Sequence, residues 1–174
     1  MGLVVHPAGC GWPRMTILKR IGQVFLVLAV LAAVAYLFRG DPIGPIAGKQ
    51  LSGPEVSGWP TSWSFSDEHD LIAIEVRPDD PHSVTVICFV HENVLYVPSQ
   101  GGSEKDWPQM VLADSRVRLK IGDAIFRARA IRVTDESERP AMFAAAAKKY
   151  PRIAETDSEL PPDLWLFRID PPTS

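Results

Sequence analysis

The sequence predicts a mainly β chain with some helix: one N-terminal transmembrane helix, then a small antiparallel barrel carrying two helices. Three observations lead there. Residues 21–38 form an apolar run with no charge and one strongly polar member, Gln23. From Leu71 onward, short runs of β-branched and aromatic residues recur between turn signals. Between Asp135 and Tyr150 the apolar spacing lengthens to that of an amphipathic helix.

A chain of 174 residues is long enough for one domain with a core, and its net charge of −3 argues against a nucleic-acid binder. Eleven of the 16 prolines lie before Ser64 or after Tyr150, which predicts two loosely structured flanks around one compact unit. Cys10 and Cys88 lie on opposite sides of the apolar run, so a membrane would separate them and a disulfide is not expected. Cys88 reads as a small buried hydrophobe. Pro7-Ala8-Gly9-Cys10 lacks the preceding apolar run that a lipidation signal needs.

Residues 1–20 read as a cytoplasmic N-terminus, with Met15 an alternative start. The run 21–38 spans roughly 27 Å as a helix, close to the hydrocarbon thickness of a bilayer. Arg14, Lys19 and Arg20 precede it and only Arg39 and Lys49 follow, which places the C-terminal domain on the outer, periplasmic or extracellular side. Ala33-Val34-Ala35 fits a signal-peptide cleavage site, but Tyr36-Leu37-Phe38 continues the apolar run, which favours an uncleaved anchor. Residues 39–63 are rich in Gly and Pro and read as a linker lifting the domain off the membrane. Trp59 and Trp63 at its end read as lids on the core of a barrel over 64–170, which a short tail, 171–174, follows.

Leu71–Val76 is the first strand, closed by the turn cluster Pro78-Asp79-Asp80-Pro81. Ser83–His91 is apolar on both faces, so it is expected to be a strand buried on both sides. Glu92-Asn93 joins it to Val94–Val97 as a tight hairpin. Arg116–Ile121 alternates basic and aliphatic residues, and Gly122-Asp123 returns the chain as Ala124–Val133. That turn sets Arg118 opposite Arg127 and Arg116 opposite Arg129. Like charges across a ladder repel, so carboxylates, solvent or a bound anion must offset them. Asp135 or Ser137 caps the helix that Pro151 ends, and its stripe Met142, Phe143, Ala146, Ala147 and Tyr150 reads as core packing. Residues 151–163 read as loop, and Leu164–Ile169 as the last strand.

The candidate site follows Val97. Ser99, Gln100, Gly101, Gly102 and Lys105 form a glycine-rich bend leading to a helix over Asp106–Ala113, with Asp106 and Gln109 spaced as a capping box. A strand, a glycine bend, a lysine and a helix start can cradle an anion, and the same elements also make an ordinary strand-to-helix loop. The four histidines show no metal-ligand spacing, and neither a P-loop nor a Gly-x-Ser-x-Gly elbow occurs.

From Leu71 to Pro171 the chain resembles the split β-barrels of FMN-binding, pyridoxamine-phosphate-oxidase-like proteins, nearest the deazaflavin-dependent nitroreductases. The resemblance is carried by Val94–Lys105, by Leu112-Ala113-Asp114-Ser115-Arg116-Val117, and by Ile121-Gly122-Asp123 through Ala130–Asp135. It implies an oxidoreductase using FMN or a deazaflavin, here on the anchor that residues 21–38 predict, with the cofactor phosphate met by Ser99, Gln100, Gly101, Gly102 and Lys105. Tyr96 or Trp107 would stack on the ring. It also implies pairing of two barrels into a homodimer that shares its sites. The sequence departs from the family at Arg77–Ser83, acidic where the family is basic, and at Asp114-Ser115, where Asn-Pro is usual. Trp107 also comes early. These departures bear on the cofactor more than on the fold. The other reading is a non-catalytic tethered barrel whose Arg116, Arg118, Arg127 and Arg129 face binds an anionic ligand, haem or an envelope partner.

Overall fold

The alternation after Leu71 becomes a seven-stranded antiparallel sheet in the computed structural model, which describes residues 14–37, 40–155 and 163–173. The expectations for residues 1–13, for Phe38, and for most of the loop before β7 lie outside the described residues. The chain divides into two compact units, Met1–Arg39 and Gly40–Ser174. In the first, helix α1 (Arg14–Leu37) contains a stretch, Leu18–Ala35, long and apolar enough to cross a membrane.

In the second unit the strands are β1 (Ile72–Val76), β2 (His82–Val86), β3 (Phe89–His91), β4 (Val94–Gln100), β5 (Arg116–Ile121), β6 (Ala124–Val133) and β7 (Leu164–Asp170). Their order is β2-β1-β5-β6-β7-β4-β3. The two ends of this sheet, β2 and β3, are consecutive in the chain. Only Ile87 and Cys88 separate them, so the sheet has to curl into a barrel. This corrects the single strand expected over Ser83–His91. Val86 pairs with Ile72 of β1, whereas Phe89 pairs with Tyr96 of β4. Its two apolar faces reflect a chain that changes pairing partner at a bend.

Both hairpins form as the turn chemistry requires. Glu92 and Asn93 take φ of 48° and 64°, the primed turn whose twist matches the flanking strands. Gly122, at φ 58°, opens the other, and Ile121 pairs with Ala124. That register places Arg118 opposite Arg127 and Arg116 opposite Arg129, as expected.

Inside the barrel, Ile74, Val76, Leu95, Val97, Leu119 and Phe167 are fully buried, with Trp63 at one end as the expected lid. A second cluster joins Phe89, Tyr96 and Leu166 to Met142 and Ala146. Helix α2 (Asp106–Ala113) follows the glycine bend, and helix α3 (Arg139–Lys149) carries Met142 and Ala146. Asp135 accepts a hydrogen bond from the Ser137 amide (2.8 Å) ahead of α3. Pro151 ends α3 but also opens a short helix α4 (Pro151–Glu155) where loop was expected. A proline lacks an N–H that a first helical turn does not need.

The segment read as a free linker is instead strapped along the barrel from Gly40 onward. Gly48 bridges Ser83 on the outer edge of β2, and Glu55 bridges Ile125. Leu51 is buried, and its amide donates to the Glu75 carboxylate at 2.5 Å. Asp41 meets Lys120 at 2.5 Å, and Glu55 meets Arg127 at 2.8 Å and Arg118 at 3.0 Å. Burial works against the Asp41 carboxylate, but Lys120 and the Ser52 amide outweigh it and hold its carboxyl below the usual range. Arg127 does the same for Glu55, against partial desolvation. Groups whose folded pKa is depressed stabilise above their unfolded pKa, and that contribution is lost as pH falls through the folded value. Urea unfolding should therefore give a constant midpoint near neutrality and a falling one below the ordinary carboxylate values of 3.8 and 4.5. Glu55→Gln should flatten part of that fall.

Candidate functional site

Between the outer wall of the barrel and helices α3 and α4 lies a hollow of about 540 Å³. Its walls come from β2 and the β2–β3 bend (Val86, Ile87, Phe89), β4 (Pro98, Ser99, Gln100), β7 (Leu164, Leu166) and α3 (Met142, Phe143, Ala146). Lys105, Trp107 and Arg139 also line it. The size and the mostly apolar lining with a few polar groups are those of a small-molecule site.

The alternation of β4 decides which groups face this space. Val97 points into the barrel core and is fully buried. Ser99 is only 2% exposed, and its Oγ has no hydrogen-bond partner among the described residues. A buried hydroxyl without a partner is costly; Ser99, two residues on from Val97, shares its core-facing side of the strand, opposite Pro98 and Gln100. Gln100 and Lys105 are exposed, so an amide and an ammonium group stand where solvent can enter.

The structure brings together Ser99, Gln100, Lys105 and Trp107 of the expected site, and leaves Gly101, Gly102 and Tyr96 off the hollow's lining. Four of the bend's amides already have partners. Gly102 N–H donates to the Asp163 carbonyl (3.1 Å), and the amides of Glu104 and Lys105 donate to the Gly101 carbonyl (3.2 and 3.1 Å). Ser103 donates to the Asp163 carboxylate through its amide (3.1 Å) and its hydroxyl (2.6 Å). Those bonds, the hydroxyl's foremost, hold the Asp163 carboxyl below the usual range. The negative group seated at the glycine bend is thus the chain's own. Gly102 has a packing reason: a Cβ there would lie 2.6 Å from the Cβ of Trp165. The capping box is also absent, since Lys105 is the helix cap and Gln109 donates to the Ser103 carbonyl (3.2 Å).

Tyr96 stacks on Phe89, with ring centroids 5.6 Å apart, and burial raises the pKa of its hydroxyl. Trp107 is a core residue whose ring lies 5.3 Å from that of Phe167. On the arginine face, the repulsion expected across the hairpin is met by carboxylates of this chain. Arg116 holds Asp114 (2.6 Å) and Asp79 (3.0 Å), and Arg118 bonds Glu75 (2.9 Å). Arg127 holds Glu55, and Arg129 donates to the Ser115 hydroxyl at 3.2 Å.

Sequence reasoning missed Arg139 and the α3 side chains. Met142, Phe143 and Ala146 were expected as core packing, and they do pack, yet they also wall the hollow. The signal lay in Arg139 one turn before that stripe, a cation at the entry of an apolar helix face. Among the described residues, no group of three His, Cys, Asp or Glu side chains is placed to hold a metal ion. Cys88 is fully buried, with the Lys149 ammonium 3.6 Å from its Sγ. Burial pushes the thiol's pKa up, with Lys149 opposing.

No protein-family model matches the sequence, and no curated protein matches it. Solved structures do match. A conserved hypothetical protein of Mycobacterium tuberculosis aligns with a TM-score of 0.51 at 13% identity, over 69% of this chain and 86% of that one. A protein described as a 5-nitroimidazole antibiotic resistance protein, from Bacteroides thetaiotaomicron, aligns at 0.50 and 11%, over 66% and 80%. A protein described as a pyridoxamine 5′-phosphate oxidase, from Listeria innocua, aligns at 0.49 and 19%, over 63% and 90%. At such identities the likeness to the first two is one of fold.

Proposed function

We propose that this chain, whose second unit has the fold of the pyridoxamine 5′-phosphate oxidase-like split barrels, is a membrane-anchored oxidoreductase of the nitroreductase type. It would bind FMN or a deazaflavin in the hollow beneath α3. The observation that carries this reading is the mostly apolar hollow of about 540 Å³, whose wall also includes Lys105, Gln100 and Ser99. A phosphate-bearing ring system fits those groups. Lys105 would neutralise the phosphate, with Ser99 in the wall beside it. Gln100 would add an amide, while Gly101 and Gly102 would shape the bend that presents them. Val86, Phe89, Met142 and Leu166 would exclude water from the ring. The bound cofactor would itself supply the hydride chemistry. Pairing of two barrels at the site, an N-terminus in the cytoplasm and the barrel outside belong to the same reading.

The test uses the full chain purified in detergent. Its visible absorbance should show bound flavin, or titration with FMN or a deazaflavin should saturate. Lys105→Ala should weaken that binding by about 10- to 100-fold, the range of a hydrogen bond to a charged group. A colourless protein with no affinity for either cofactor overturns the reading. One observation favours a second reading, a non-catalytic barrel that has lost the cofactor: Asp163 already sits on the bend where a phosphate would bind. Such a barrel would take an anionic ligand or haem without reducing it, and the arginine face would remain a set of internal ion pairs.

A further inference from the structure

We infer that the tight turn Ile43-Gly44-Pro45-Ile46 is a membrane-surface contact of the barrel unit, seated at the headgroup–acyl boundary of the bilayer that α1 crosses. The inference rests on the membrane-anchored reading and adds to it where the barrel touches lipid. Ile43 is 68% exposed and Ile46 52% exposed, and no large hydrophobic side chain described in the barrel unit is more exposed than Ile43. Pro42 to Ala47 carries no charge. The nearby Asp41 carboxylate is already bound to Lys120 and to the Ser52 amide.

The turn's backbone suits such a site. The Ile43 amide donates to the Ile46 carbonyl and the Ile46 amide to the Ile43 carbonyl, both at 3.0 Å. A loop entering a poorly hydrated layer gains by satisfying polar backbone groups internally, and these two bonds do so for the amides and carbonyls of both isoleucines. The turn is also held to the barrel. Gly48 N–H donates to the Ser83 carbonyl (2.7 Å), and Lys49 N–H to the Gly40 carbonyl (2.8 Å).

Chain length supplies the partner. Gly40 is already bonded within the barrel unit, and it lies three residues beyond Leu37, the end of α1. At full extension three residues reach at most roughly 10 Å. The interfacial layer on each side of the hydrocarbon core is about 5–8 Å thick. The barrel therefore has little freedom to leave the surface, and two isoleucines on an uncharged tip three residues further on fit the interface. A bilayer is thus the occupant argued for, over a protein partner.

The experiment reconstitutes the full chain, carrying Cys10→Ser, into phosphatidylcholine vesicles. Single nitroxide labels are placed through Ile43→Cys, Ile46→Cys, Val27→Cys and Glu104→Cys, while the buried Cys88 stays unlabelled in the native protein. Collision with oxygen reports lipid, and collision with a water-soluble nickel chelate reports water. Labels at 43 and 46 should show an oxygen-to-nickel ratio several-fold above that at the exposed position 104, and below that at 27. If 27 lies in lipid while 43 and 46 match 104, the inference is overturned and the anchor stands. If 27 itself is aqueous, the anchor reading fails and the inference fails with it.

Discussion

Glu75→Ala should cost the barrel about 3–5 kcal/mol, the effect of removing one partner of a buried charge pair. Glu75 is 2% exposed and accepts from the Leu51 amide and from Arg118 Nη1. Its loss strands Arg118, a side chain only 15% exposed, on a ladder where Arg127 stands opposite. Glu55 is the remaining carboxylate at Arg118. Its contact there, at 3.0 Å to Nε, is an ion pair by distance without an aligned hydrogen bond. The Leu51 amide would lose its acceptor as well, so the strap should loosen with the core. Urea unfolding of the two proteins measures the difference, and a change under about 1 kcal/mol, typical of exposed pairs, would show that Arg118 is adequately served by Glu55 and water. Glu75→Leu with Arg118→Leu should come out milder than Glu75→Ala, since an apolar pair leaves no stranded charge.

Gly102→Ala should cost about 3 kcal/mol, at the top of the range for overpacking. The added methyl meets the ring and Cβ of Trp165. That ring cannot simply swing away, because the guanidinium of Arg132 covers it at 3.5 Å from its centroid. Trp165 pairs with Ser99 in the β4–β7 ladder, so its displacement should disturb the hollow's wall too. Near-ultraviolet circular dichroism would report the tryptophan, and thermal unfolding the stability. An unchanged midpoint would mean that no packing demand requires Gly102 and that Trp165 has room to move.

The parts of the fold that were readable from the sequence are those governed by local rules. Glu92-Asn93 and Gly122-Asp123 dictate their own backbone, and the register of both hairpins follows from them. Helix α2 begins at Asp106 and ends at Ala113, as its pattern required. What could not be read depends on partners distant in the chain. Ser83–His91 carries no local sign of its break, because the bend at Ile87 and Cys88 answers to two different strands. The segment after Gly40 looked like a linker since its attachments are single residues, Asp41, Leu51 and Glu55, scattered among Gly and Pro. At the site, Ser99 and Gln100, expected in a bend after Val97, belong to β4 itself, which runs on to Gln100, while Lys105 follows it in the bend. The role of Asp163 was not legible, as it lies 60 residues from Ser103 and reaches it only through the β4–β7 pairing.

The closure of the sheet has a consequence for crowding. Proteins confined to a surface meet one another at high local density, and an unpaired strand edge is a template for joining copies. Here β2 is covered by the Gly48–Ser83 bridge, and β3 offers only three residues. Such a barrel gives neighbouring copies little backbone to zip onto, so edge-to-edge pairing between copies is disfavoured.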